Sequence, residues 1–253
     1  MPSRLLFAVV LFCLNGPVVQ AQDQRLKVPP AATVLSLSGL NFNLYNHMPG
    51  MFHGYFSKPP YRMVKVKYPA SIAHNSIGKG VEALDAAVRS TPGQKIVIAH
   101  SQGAQVCSRW MREHADDPTA PGPGELMFIL TGNPLRATGG YIIGRKEVGG
   151  TTGLPTPTGT RWKIIDFARR YDGWADWVQD ENNKLAVKTA NRGKQTFHLN
   201  YDDVDFFSPS NAVWTIGNTD FVLTFEEKLP IPTASRAEVE AAYTNRPKTI
   251  ARQ

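Results

Sequence analysis

KIVIAHSQGAQV, residues 95–106, is the stretch on which the fold reading turns. Lys95 to Ala99 is a compact run of apolar and β-branched residues, the pattern of a strand buried on both faces. His100-Ser101-Gln102-Gly103 follows without a spacer, and from Gln102 to His114 the apolar residues Val106, Trp110 and Met111 recur at helical spacing. A strand that runs through a serine straight into a helix is the context of a nucleophile elbow, in which a sharp turn lifts the serine side chain out at the carboxyl end of a sheet. Such a turn needs small residues two positions to either side, and Ala99 and Gly103 stand there. The N–H of Gln102, at the positive end of the helix, is suited to meet a developing oxyanion. The competing reading of Ser101 is an ordinary helix N-cap.

Working outward, Thr33 to Ser38, Arg62 to Tyr68, Glu125 to Thr131 and Arg161 to Ala168 read as further strands. Ser76 to Arg89 places Ile77, Val81, Leu84 and Val88 on one helical face; Asn182 to Ala190 reads as another helix, and Ala234 to Tyr243 as an amphipathic tail. Residues 132–160, rich in Gly, Thr and Pro, read as a long surface loop. Strands alternating with helices predict an α/β architecture: a mostly parallel sheet with helices on both faces. No internal repeat is evident, so residues 22–253 are expected to form one domain.

Before that domain, Arg4, the apolar run Leu5 to Leu14, the break at Gly16-Pro17 and Val19-Gln20-Ala21 form the pattern of a secretory signal peptide over residues 1–21. The run is too short for a typical membrane span. Export to the exterior or the cell envelope is therefore expected. Of the two cysteines, Cys13 lies in this leader, so Cys107 has no internal disulfide partner and is expected to be a buried hydrophobe. Two cysteines also exclude a disulfide scaffold. His47, His53 and His74 lack metal-ligand spacing; no metal and no cofactor is assigned. The net charge of +7 includes Lys65/Lys67 and Arg169/Arg170, read as a solvated face, with attraction to an anionic envelope as a second reading. With no recognition motif, nucleic-acid binding is not expected.

A serine hydroxyl becomes a nucleophile when a histidine takes its proton and a carboxylate orients that histidine. In an elbow-bearing sheet the chain order is Ser, acid, His. Only His198 follows the late strand, since the other histidines lie at or before 114. Asp172 and Asp176 both lie just beyond IIDFA and both qualify as the acid. A second oxyanion donor is expected from the loop after the first strand, near Leu40. Between Asn41 and Tyr61, eight apolar or aromatic side chains, from Phe42 to Phe56, either pack on the core or line an acyl groove or lipid contact.

IVIAHSQGAQV resembles the elbow of cutinase-like serine esterases, typically GYSQGA. Gly132-Asn133-Pro134-Leu135-Arg136-Ala137-Thr138-Gly139-Gly140 resembles the GNPxRPxGG stretch of mycobacterial PE-PPE domains, Tyr171 to Asp176 their YDGxAD stretch, and Phe197-His198 with Tyr201 their YxHxxY-like end. Four motifs in order, over about residues 33–230, carry the resemblance. It implies an α/β-hydrolase fold and Ser-Asp-His esterase activity on acyl-ester or lipid substrates, with Asp172 as the acid. Where that family has a PE or PPE region, this chain has the leader. Transfer of acyl chains between envelope glycolipids is the alternative activity, and a non-catalytic lipid- or partner-binding scaffold the second. Ala99 and the altered Leu40-Asn41 turn are the departures that motivate the last.

Overall fold

A computed structural model of the chain describes residues 26–145 and 153–243. The predicted leader lies outside the described residues. Among the described residues, seven strands form one sheet: β1 (Thr33–Leu37), β2 (Arg62–Lys65), β3 (Lys95–His100), β4 (Leu126–Thr131), β5 (Lys163–Ala168), β6 (Ala212–Ile216) and β7 (Thr219–Leu223). Their order is β2-β1-β3-β4-β5-β7-β6. Every pairing is parallel except β6 with β7. The order reverses around β1, so β1 and β3 are neighbours whose connections leave in opposite directions. In such sheets the crevice at the carboxyl ends of those two strands is where ligands bind.

β3 and β4 are buried along their whole length, as their continuous apolar runs require. α1 (Ser76–Ser90) and α2 (Gln102–Glu113) cover one face of the sheet. Ile77, Val81, Leu84, Val88, Val106, Trp110 and Met111 pack there on Leu35, Val97, Phe128 and Ile164. Cys107 is in the same cluster, fully buried, and burial pushes its thiol pKa up. The other face, bearing Val34, Ile98, Ile129 and Phe167, is covered by the 3-10 segment Met51–Ser57 and by Tyr201, Val204 and Phe206. α3 (Lys184–Thr196) and α4 (Arg236–Ala242) pack with Tyr171, Trp177 and Val178 in a third cluster.

Several elements depart from the sequence expectations. β2 ends at Lys65 and not Tyr68, because β1, its one partner among the described residues, ends at Leu37; Tyr68 turns inward and its hydroxyl donates to Ser38 O at 2.6 Å. α3 begins at Lys184, capped by the Asn183 side chain, and runs past Ala190 to Thr196. Gly193 lets this last part of α3 approach Tyr171 O, into which a Cβ would run. The β6–β7 hairpin was not anticipated, although Gly217-Asn218 between AVWTI and TDFVL is a two-residue hairpin signal.

The stretch 132–160 has no helix or strand among its described residues, yet its start is not surface. Asn133, Leu135 and Arg136 are buried. Arg136 donates to Asp166 Oδ1 at 2.9 Å and to Val222 O at 3.0 Å, and its guanidinium lies over Trp214 and Phe221. Asn133 Nδ2 donates to Asp166 Oδ2 at 2.9 Å. A buried carboxylate needs such donors, and this stretch supplies them. The solvated reading of Arg169 and Arg170 is likewise corrected. Both are buried, Arg169 paired with Glu226 and Asp203, Arg170 with Glu240 and Asp176. The acids that pair with them lie up to 70 positions away along the chain, so local charge pattern did not show them.

Arg136→Ala leaves Asp166 buried without its cation. It is expected to lower the unfolding free energy by about 3–5 kcal/mol, measured by urea denaturation; a loss under about 1 kcal/mol would mean the pair contributes only at the level of a surface ion pair.

Candidate active site

Ser101 sits between β3 and α2 with φ 53° and ψ −114°, outside the regions an L-residue ordinarily occupies. The turn is held from three sides. Ser101 N–H donates to Thr131 O at 3.0 Å, Ala104 N–H returns to Ser101 O at 3.0 Å, and a Cβ on Gly103 would lie 2.6 Å from Leu37 O. At the other small position Ala99 is fully buried, so its one methyl is accommodated. Ser101 does occupy the N-cap position of α2, but its side chain makes no cap bond. Its Oγ lies 2.9 Å from His198 Nε2.

His198 follows α3 by two residues, and its Nδ1 lies 3.0 Å and 3.1 Å from the two carboxylate oxygens of Asp172. Asp172 is fully buried just beyond β5. Its Oδ2 also accepts from Tyr201 Oη–H at 3.0 Å and its Oδ1 from Trp174 N–H at 3.0 Å. Tyr201 in turn accepts from Arg169 N–H at 3.1 Å. Burial, then the neighbouring Asp172, holds the Tyr201 pKa well above its ordinary value, so it stays a donor.

Asp176 does not reach His198. Its Oδ2 accepts from Tyr171 N–H at 2.8 Å, and the Arg170 guanidinium lies 3.5 Å away. Asp176 thus closes the turn that presents Asp172. Its pKa is raised by burial, against the pull of Arg170.

The two oxyanion candidates flank Ser101. Gln102 is the first residue of α2, so its N–H has no acceptor four residues back in the helix. Its side chain is directed elsewhere, accepting from Ser76 Oγ at 3.2 Å and donating to Ser71 O at 2.8 Å. The Leu40 turn is brought alongside by Gly39, where a Cβ would lie 2.8 Å from Ser101 Cβ. The next two amides, Asn41 and Phe42, both donate to Ala70 O.

Two features were not read from the sequence. His100 is buried against His198, ring centroids 4.8 Å apart, with Nδ1 3.1 Å from Thr131 Oγ1. Burial, with His198 and His47 nearby, lowers its pKa well below the usual imidazole range, so it packs as a neutral ring. Lys194, one turn before His198, holds its ammonium 3.1 Å from the Tyr141 ring centroid, 4.3 Å from that of Trp177 and 4.7 Å from that of Trp174. This cation–π cage ties α3 to the Asp172 turn. A local signal existed for neither, since both depend on ring contacts across the fold.

Ser101 and His198 open onto a cavity of about 300 Å³. Its apolar wall is Leu40, Tyr45, Ile72, Ile142, Trp174 and Leu199. That is the lower end of the size range for small-molecule sites. A hollow of about 350 Å³ at Tyr55, Pro59, Pro60 and Phe207 contains none of the three residues. No group of three or more His, Cys, Asp or Glu with metal-site geometry occurs among the described residues.

The sheet order, the elbow and the Ser-His-Asp run define an α/β-hydrolase fold. The PE-PPE domain model matches residues 53–236, and the chain belongs to that family. It is 31% identical over 191 residues to the SL1278 acyltransferase Chp1 of Mycobacterium tuberculosis, covering 68% of this chain and 45% of that protein. It is 30% identical over 178 residues to Esterase PE16 of the same organism, covering 64% of this chain and 34% of that one. The chain thus spans less than half the length of these relatives. Among solved structures, a cutinase-like protein from Cryptococcus sp. aligns with 68% of this chain and 93% of its own at 15% identity and TM-score 0.42.

The two acids separate experimentally by labelling Ser101 with a fluorophosphonate. Asp172→Asn, which presents the wrong group to Nδ1, is expected to slow labelling by about 10³–10⁴-fold. Asp176→Asn is expected to keep labelling and to cost about 1–3 kcal/mol of stability. The reverse pattern would assign the acid to Asp176.

Proposed function

We propose that this protein is an exported serine hydrolase acting on carboxylic (acyl) esters, with Ser101, His198 and Asp172 as its triad. The observation that carries the reading is the hydrogen-bonded run Ser101–His198–Asp172 opening onto an apolar cavity. Ser101 Oγ attacks the ester carbonyl while His198 Nε2 takes its proton. Asp172 keeps Nδ1 protonated, so that Nε2 is the free lone pair, and favours the imidazolium that forms. The carbonyl oxygen gathers charge between the N–H of Gln102 and that of Leu40, with the α2 N-terminus adding its dipole. His198 returns the proton to the departing alcohol. Water then repeats the sequence on the acyl-enzyme and restores Ser101.

A second reading keeps the acyl-enzyme and replaces water by a sugar hydroxyl. It is favoured by relatives named as acyltransferases, among them the diacyltrehalose acyltransferase Chp2 of Mycobacterium tuberculosis, 26% identical over 133 residues, 49% of this chain and 37% of that protein. Export rests on the leader at residues 1–21.

Ser101→Ala is expected to abolish hydrolysis of a p-nitrophenyl ester above the solution background; retention of full activity would overturn the mechanism. Product analysis with trehalose as acceptor distinguishes the readings: free acid for hydrolysis, acylated sugar for transfer. Failure of a fluorophosphonate to label the folded wild-type protein would instead favour a non-catalytic scaffold. For export, mass spectrometry of protein recovered outside the expressing cells is expected to give a chain starting at Gln22, and a full-length chain retained in the cytoplasm would overturn it.

A further inference from the structure

Three separate segments place exposed apolar side chains around the mouth of the Ser101 cavity. The turn after β1 contributes Leu40, Phe42, Leu44 and Tyr45, the loop after β2 contributes Ile72, and the residue after His198 is Leu199. Leu44 is 82% exposed, Ile72 72% and Leu199 64%. Scattered exposed leucines are ordinary on a protein surface, but a contiguous apolar rim marks an interaction site. Leu40, Tyr45, Ile72 and Leu199 also line the cavity, so the rim and the apolar wall are one continuous surface.

The turn is built to hold these side chains outward. Phe42 and Asn43 both have positive φ, 52° and 58°, a conformation that Phe rarely adopts. Local strain of this kind persists only where the surroundings enforce it. Here Asn43 N–H donates to Asn41 Oδ1, Asn41 Nδ2 to Tyr45 O, and Asn43 Nδ2 to Tyr68 O. The N–H groups of Asn41 and Phe42 both reach Ala70 O, and that of Leu44 reaches Asn41 O. The turn's amides from Asn41 to Leu44 are therefore satisfied inside the protein. That removes one cost of bringing a loop tip to an apolar medium, where an unpaired amide is costly. The chain's excess of Lys+Arg, 28 against 21 Asp+Glu, suits approach to an anionic surface. No helix among the described residues is long and apolar enough to cross a membrane.

We propose that the Leu40–Tyr45 turn, with Ile72 and Leu199, is a lipid-surface docking site that seats the cavity mouth on a bilayer. An acyl chain then passes from the bilayer to Ser101 without crossing water. The docking stands on the rim's own geometry; only its link to substrate delivery rests on the acyl-ester reading.

The test measures sedimentation of Ser101→Ala protein with vesicles of phosphatidylcholine, with and without phosphatidylglycerol, so that binding is read without turnover. Binding to both is expected, tighter with phosphatidylglycerol. Adding Phe42→Asn and Leu44→Glu, neither of which lines the cavity, is expected to weaken partitioning at least about tenfold on both. With Ser101 restored, the same pair of substitutions is expected to leave hydrolysis of a soluble short-chain ester unchanged. In a separate Leu44→Trp variant, tryptophan emission is expected to shift to the blue on phosphatidylcholine vesicles. Absence of that shift, partitioning unaffected by the substitutions, or binding that appears only with phosphatidylglycerol and is insensitive to them would each overturn the proposal. Loss of soluble-ester turnover in the wild type would count against the esterase reading and leave the vesicle result standing.

Discussion

Asp172 is a carboxylate with no exposed surface, and much of the site follows from satisfying it. A buried carboxylate without donors is too costly to keep. Its donors come from three places in the chain: Trp174 N–H in its own turn, His198 at the end of α3, and the Tyr201 hydroxyl beyond. Meeting that demand draws the end of α3 over the carboxyl edge of the sheet, and His198 arrives facing Ser101. Tyr201 then links the carboxylate to Arg169 N–H at the end of β5, so the carboxylate that faces His198 is itself anchored to the sheet.

Beneath this lies a layer of buried and half-buried ion pairs that plays no part in the proposed chemistry. Arg136 with Asp166, Arg169 with Glu226, and Arg170 with Asp176 and Glu240 stitch β5, the 132–136 stretch, β7 and α4 together. Such pairs are poor sources of net stability, since desolvation consumes most of the attraction. Their consequence here is geometric. The Asp176–Tyr171 bond and the Arg170 contact brace the turn that carries Asp172.

The aromatic-rich segment from Asn41 to Tyr61 divides by position between its two readings. Met48, Met51, Phe52 and Phe56 are core and cover one face of the sheet, whereas Phe42, Leu44 and Tyr45 stand in solvent. Composition alone did not separate them, because both halves are equally apolar. The division follows from the strained Asn41–Asn43 turn, whose side-chain amides close on the backbone and leave Phe42 and Leu44 no inward direction.

The residues themselves determined the local parts: the buried strand of β3, the turn at Ser101 with small residues beside it, the α2 period, and the order Ser, Asp, His. These are readable because a strand's continuous apolar run, a helix's 3.6-residue period and an elbow's steric demand are all satisfied by neighbours in the chain. Tertiary structure alone set Asp172 and not Asp176 against His198, buried Arg169 and Arg170, placed the β6–β7 hairpin beside β5, and set Lys194 among three rings. Each of those outcomes turns on a partner far away in sequence, and a carboxylate or a cation carries no local mark of the partner it will meet once the chain has folded.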